Sequence, residues 1–246
     1  MNDHERELSN EIVKLKSELA EKSDFLAMIV HQLRTPLTAN KWIFKMMMDG
    51  DLGKITDEQQ KIITRGLDSN DQMIRMLAEI STANHLSEWK LNFKIESMDI
   101  TKCIETSISE FSPEAQTKNI HLSFSSKEPL PNVLADKEKI CLVVQNLIEN
   151  AIKYNKEHGT VTIFAEPIGT NLVVSVTDSG IGIPHDEQKN IFGKFFRADN
   201  AKKAEKGTGL GLFVGKTIIE SHHGTMWFES VPNVGTTFFF SIPLAK

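Results

Sequence analysis

The stretch Phe25-Leu-Ala-Met-Ile-Val-His-Gln-Leu-Arg-Thr-Pro-Leu-Thr38 sets one histidine inside a long helical pattern. Apolar residues recur at Leu8, Ile12, Leu15, Leu19, Leu26, Ile29 and Leu33, alternately four and three apart, with Lys22 as the single break. That is a heptad seam. With Leu26 at position a and Ile29 at d, His31 falls at f, farthest from the seam. Its imidazole is therefore expected to face water on the outside of a helical bundle. Pro36 has no amide for the carbonyl of Gln32 and is expected to kink the helix beside the histidine.

Working outward, one helix is expected from about Glu5 to Asp49, closed by the turn cluster Asp49-Gly-Asp-Leu-Gly53. A second should begin near Thr56, with Thr56 or Asp57 as cap and Gln59 close to the capping-box position. Its apolar positions Ile63, Leu67, Met73, Ile74, Leu77 and Ile80 carry it to about Leu91. Two such helices make an antiparallel hairpin, which cannot bury its apolar stripe alone. Two hairpins side by side make a four-helix bundle, so a homodimer is expected. A monomeric hairpin folded onto the rest of the chain is the alternative.

The pattern changes near Phe93, which predicts two domains, 1–92 and 93–246. Short β-branched and aromatic runs alternate with helical stretches beyond it. Strands are expected near Phe93–Ile100, Ile120–Ser125, Val161–Glu166, Leu172–Asp178, Thr225–Ser230 and Thr236–Ile242. Helices are expected near Thr101–Thr117, Lys137–Asn155 and Gly209–His222. The fold class is α+β: a helical hairpin followed by three helices beside a mostly antiparallel sheet.

Composition narrows the functional classes. The chain has 246 residues, 40% hydrophobic and 25% charged, with a net charge of -5. That balance argues against a general nucleic-acid binder, which should be basic. Cys103 and Cys141 suggest neither a disulfide framework nor a zinc site, and reduced core thiols are expected. No apolar run is long enough to span a bilayer, and no signal peptide opens the chain, so a cytoplasmic location is expected.

Four short motifs in the second half carry chemistry. Asn146-Leu-Ile-Glu-Asn-Ala-Ile-Lys-Tyr-Asn155 places Asn146, Asn150 and Lys153 on neighbouring helix positions. An amide oxygen suits Mg2+ and an ammonium suits phosphate. Asp178-Ser-Gly-Ile-Gly-Ile-Pro184 follows a strand; its glycines, Gly180 and Gly182, let backbone approach a flat ligand, and the aspartate can accept from an exocyclic amine. Ile191-Phe-Gly-Lys-Phe-Phe-Arg197 joins apolar anchors to an arginine. Gly207-Thr-Gly-Leu-Gly-Leu212 leads into a helix whose free amides suit an anion. Between the last two, Ala198 to Lys206 reads as a polar lid with no apolar anchor. Each motif alone also fits an ordinary helix face, turn or loop.

In this order the motifs resemble the N, G1, F and G2 boxes of the histidine-kinase ATP-binding domain, a member of the GHKL superfamily. Gly235-Thr-Thr-Phe238 resembles its final segment, and His31, Arg34, Thr35 and Pro36 resemble the phosphoacceptor box of two-component sensor histidine kinases. The resemblance covers almost the whole chain. It implies that Asn150 binds Mg2+ and Asp178 the adenine amino group of ATP. It implies that Asn146, Lys153 and Tyr154 line the nucleotide and that Arg197 contacts phosphate. Gly207, Thr208, Gly209, Leu210 and Gly211 would form the phosphate loop. It further implies autophosphorylation of His31, transfer to the receiver domain of a response regulator, and membrane association only through an N-terminal sensor region missing here.

The sequence departs from the family at Gln32, where an acid usually follows the histidine, and at Gly193. An amide cannot hold the proton that the imidazole must lose. A slow kinase or a phosphatase-biased variant is the alternative within the family, with Thr35 positioning water. A non-catalytic, nucleotide-binding dimeric scaffold is the alternative outside it. Asn146 stands where hydrolases of the superfamily carry a glutamate that activates water, so ATP is expected to be held without rapid hydrolysis.

Overall fold

A computed structural model describes residues 28–30, 32–86, 93–127, 129–204 and 207–245, together with Glu11 and Ser17. The heptads before Met28, and His31 itself, lie outside the described residues. The chain divides into two compact units, Met1–Leu91 and Asn92–Lys246.

The first unit is a helical hairpin. Helix α1 covers residues 32–49, and α2 spans Asp57–Leu86. The connection ends in a capping box: the Thr56 hydroxyl accepts from the Gln59 amide at 3.2 Å, and the Gln59 side chain accepts from the Thr56 amide at 2.9 Å. Thr56, not Asp57, is therefore the cap. Cross-ties set the antiparallel register. Asn70 donates to the Leu37 carbonyl at 2.9 Å, Lys41 meets Asp71 at 2.9 Å, and Gly66 lies against the Phe44 ring. Trp42 is 63% exposed on this single hairpin, and Ile62 is 66% exposed.

The second unit opens with β1 (Glu96–Met98) and α3 (Ile100–Thr117), then β2 (His121–Ser126), β3 (Val133–Ala135) and α4 (Lys137–Lys153). The hairpin β4 (Thr160–Ile168) and β5 (Asn171–Asp178) follows, turning at Gly169 with φ +61°. A short helix α5 (Asp199–Ala204), α6 (Gly211–Ser221), β6 (Thr225–Val231) and β7 (Gly235–Pro243) complete it. The main sheet has the order β2-β4-β5-β7-β6, antiparallel except for the parallel pair β2 and β4. Alternate residues of β4, β5 and β7, among them Ile163, Val174, Val176 and Phe240, are buried. They meet the apolar faces of α4 and α6, chiefly Leu147, Ile148, Val214 and Ile218. This is the expected α+β sandwich.

Three local readings change. The strand expected over Phe93–Ile100 shrinks to Glu96–Met98 and pairs with the unforeseen β3 in a separate two-stranded sheet. Cys103 and Cys141, expected as reduced thiols, are joined as a disulfide between α3 and α4 with their Cα atoms 5.6 Å apart. His222 does end α6 as expected, but it is only 2% exposed. Its Nε2 accepts from the Asp136 amide at 3.0 Å, so the proton sits on Nδ1, which donates to the Ile218 carbonyl at 2.7 Å. Burial holds its pKa below the usual imidazole value.

Replacing Thr56 by alanine removes one half of the capping box. Thr56→Ala is expected to destabilise the helical unit by about 1 kcal/mol, read as a lower urea midpoint by circular dichroism, with an unchanged slope.

Candidate functional site

Helix α4 carries three of the chemistry-bearing side chains of the second unit. Asp136 caps it, accepting from the Lys139 amide at 3.2 Å. Ile140, Val144, Leu147 and Ile148 bury one side of the helix in the core. Asn146, Asn150 and Lys153 recur on another side, three and four residues apart. Asn146 is 8% exposed, and its amide nitrogen has no hydrogen-bond partner among the described residues. An unpaired buried donor costs about 1–3 kcal/mol, which marks this point as a place for a polar ligand.

The glycine-rich turn before α6 lies beside this face. A Cβ on Gly211 would stand 3.6 Å from the Asn146 amide carbon. One on Gly207 would stand 3.2 Å from Lys153 Nζ, 3.6 Å from the Tyr154 hydroxyl and 3.7 Å from Arg197 Nε. Two cations, a phenol and a carboxamide thus surround glycines of this loop. Gly209 has φ +73°, and a Cβ there would strike the Phe195 and Phe196 backbone at 2.7 Å, so only glycine fits. The Thr208 hydroxyl accepts from the Leu210 amide at 3.2 Å. Helix α6 has no side-chain cap, which leaves its first amides to an anion. Leu210 is 1% exposed and serves the core at this turn.

The second glycine loop is stitched to the end of α4. The Ile181 amide donates to the Tyr154 carbonyl at 3.1 Å. A Cβ on Gly180 would fall 2.2 Å from that same oxygen. Gly182 has φ +62°, and its Cβ would lie 2.2 Å from the Val231 carbonyl. The Asn155 side chain accepts from Ser179 at 3.1 Å and donates to the Thr160 carbonyl at 3.0 Å. A cavity of about 310 Å³ adjoins this junction, lined by Lys118, Lys153, Tyr154 and Ile181 among others.

Asp178 sits at the end of β5. Its carboxylate accepts from the Gly180 amide at 2.8 Å and the Thr236 amide at 3.3 Å. Burial nevertheless raises its pKa from 3.8 to about 6, against the lowering effect of those two bonds and of Lys156. Thr236, 6% exposed, was not among the residues expected here, although the Gly235-Thr236 pair is visible in the sequence. Gly235 is needed because a Cβ would fall 2.0 Å from the Asp178 carbonyl.

The lid differs from the expected unanchored loop. Ala198 is 2% exposed and Asp199–Ala204 is helical. Arg197 donates to the Ala201 carbonyl at 2.9 Å, and Asn200 donates to the Gly182 carbonyl at 2.8 Å. An apolar anchor and two side-chain bonds thus tie the segment to Arg197 before it and to the glycine loop after β5. Gln32 and Thr35 are exposed on α1 of the first unit.

The chain is similar to known proteins over most of its length. Residues 135–246 match the family described as histidine kinase-, DNA gyrase B- and HSP90-like ATPase, and residues 21–87 match the His kinase A phospho-acceptor domain. The adaptive-response sensory kinase SasA of Synechocystis sp. is 32% identical, over 97% of this chain and 65% of its own length. Full-length ShkA in complex with AMPPNP is similar at a TM-score of 0.74 and 27% identity, over 91% of this chain and 46% of that one. The catalytic domain of histidine kinase ThkA is 33% identical at a TM-score of 0.56, over 62% of this chain and 97% of that one. ThkA in complex with the response regulator protein TrrA matches at 27% identity and a TM-score of 0.59, over 96% and 66% of the two chains. The chain spans about two thirds or less of the length of the curated relatives it matches first.

The raised pKa of Asp178 gives a pH-dependent prediction. A carboxyl held above its unfolded value favours the fold when protonated, and that advantage is lost as pH rises through about 6. Asp178→Asn keeps an oxygen to accept from Gly180 and Thr236 but carries no charge. It is expected to stabilise the nucleotide-free protein above pH 7, by at most about 3 kcal/mol, and to leave stability unchanged near pH 4. Thermal melts of both proteins across that range are the measurement; equal melting temperatures at pH 8 would contradict the assignment.

Proposed function

The chain belongs to the two-component sensor histidine kinases, and from that premise we propose that it binds Mg-ATP and phosphorylates its own His31. The observation that carries the reading is the gathering of Asn146, Lys153, Tyr154 and Arg197 around the turn at Gly207 and Gly211. Asp178, at the end of the neighbouring strand, would accept from the adenine amino group. Lys153, Arg197 and the free amides opening α6 would face phosphate oxygens. Gly180 and Gly182 would let the base lie against backbone. Asn150 would hold Mg2+ through its amide oxygen, a hard ligand of the kind that ion takes beside phosphate and water. The ion would neutralise phosphate charge.

A neutral nitrogen of His31 attacks the γ-phosphorus; the bond to the bridging oxygen breaks, and ADP leaves. The phosphorylated imidazolium then gives up a proton. Gln32 can accept a hydrogen bond from the ring but cannot take that proton, which passes to water. The phosphoryl group moves next to an aspartate of a response-regulator receiver domain. Trp42, Ile43, Met46 and Ile62, exposed on the hairpin, would be covered by a second copy in a four-helix bundle, giving a homodimer. A phosphatase role with Thr35 is the second reading, favoured by Gln32 alone. No described helix is long and apolar enough to cross a membrane.

Incubation with Mg-ATP is expected to leave an acid-labile, base-stable phosphoryl group on His31, absent in His31→Ala. Gln32→Glu should raise the initial rate by about 10²-fold or more without changing ATP affinity. Equal rates would remove Gln32 from the proton path. Steady ATP consumption without phosphoprotein would overturn the kinase reading.

A further inference from the structure

We propose that Cys103 and Cys141 form a reversible, oxidant-written staple between α3 and α4, a modification site independent of the phosphoryl chemistry above. They are the chain's 2 cysteines. Cys103 is 3% exposed, whereas Cys141 is partly exposed. Their Cα separation of 5.6 Å lies within the range that disulfides span.

Paired strands lead into the two helices. β1 and β3 pair antiparallel, with Glu96 opposite Ala135. Each then passes through a capping aspartate, Asp99 or Asp136, into its helix. The helices run parallel, with further ties lower down. Gln145 donates to Glu110 at 2.9 Å, and Lys118 donates to the Lys153 carbonyl at 3.3 Å. Ile100, Ile104 and Ile140, close to the two cysteines along their helices, are all 0% exposed. Apolar packing and these hydrogen bonds therefore hold the two sulfurs in register without the covalent bond.

The oxidant is a low-molecular-weight disulfide such as oxidised glutathione. The Cys141 thiolate attacks one of its sulfurs and expels a glutathione thiolate. The Cys103 thiolate then attacks Cys141 Sγ in the mixed disulfide and expels the second. The protons of the two protein thiols end on the two released thiols; the protein is oxidised by two electrons and the glutathione disulfide is reduced. Reduction runs the same steps backwards.

The staple closes a loop of sequence separation 38 and so restricts the unfolded chain. The ligand-facing end of α4 is held separately, by Lys118 and Ile181. Oxidation should therefore raise stability while leaving ATP affinity within about twofold. The experiment uses the full chain after dithiothreitol or after oxidised glutathione, followed by denaturing alkylation, intact mass and thermal melts. The oxidised sample should show no alkylated thiol, run as a single chain on a non-reducing gel and melt about 10 °C higher. Dithiothreitol should reverse all three. Cys141→Ser should lose the melting shift. Two alkylated thiols after oxidation, covalent links between chains, or a shift that persists in Cys141→Ser would overturn the proposal. The wild-type masses and melts decide it even where the variant does not fold.

Discussion

The chemistry of the second unit depends on one backbone oxygen. The Tyr154 carbonyl, where α4 ends, accepts from the Ile181 amide and stands where a side chain on residue 180 would begin. That contact fixes the glycine loop after β5 against the helix that carries Asn146, Asn150 and Lys153. It requires glycine at 180 for steric reasons alone, since a Cβ would lie 2.2 Å from the oxygen. Gly235 is constrained likewise against the Asp178 carbonyl. The aspartate is thus set between two close backbone approaches, and its burial follows from them. That burial raises its pKa to about 6, against the two backbone hydrogen bonds it accepts.

Much of this was legible because the local signals were strong. The β-branched runs near Val161–Glu166 and Leu172–Asp178 placed β4 and β5. The Thr56 and Gln59 spacing placed the start of α2. The motif order gathered residues that propensity alone would have scattered, and Lys153, Tyr154, Arg197 and Gly207 do converge. What escaped the reading was non-local. Strands of three residues, such as β1 and β3, are too short to show a period. The parallel run of α3 and α4, which brings Cys103 to Cys141, is a product of tertiary packing and leaves no mark in sequence spacing. His222 looked like an ordinary helix end; only the tertiary fold places the Asp136 amide against its ring. Ala198 is a small residue in a charged stretch, and its burial comes from the loops around it.

Two amides stand where carboxylates would serve as bases, and their consequences differ. A carboxamide neither takes nor gives a proton near neutral pH. At residue 146, buried on α4 beside Gly211, it cannot deprotonate water, so nucleotide held there would persist until another nucleophile arrives. At residue 32, exposed on α1, it cannot relieve the imidazolium, so the forward step would proceed at the pace set by solvent. On that reading the first amide would protect the phosphoryl donor, and the second would slow its use. A chain with both would keep ATP loaded and turn over slowly. Its rate would then be governed by how the histidine is presented and how its proton leaves, with nucleotide capture already complete.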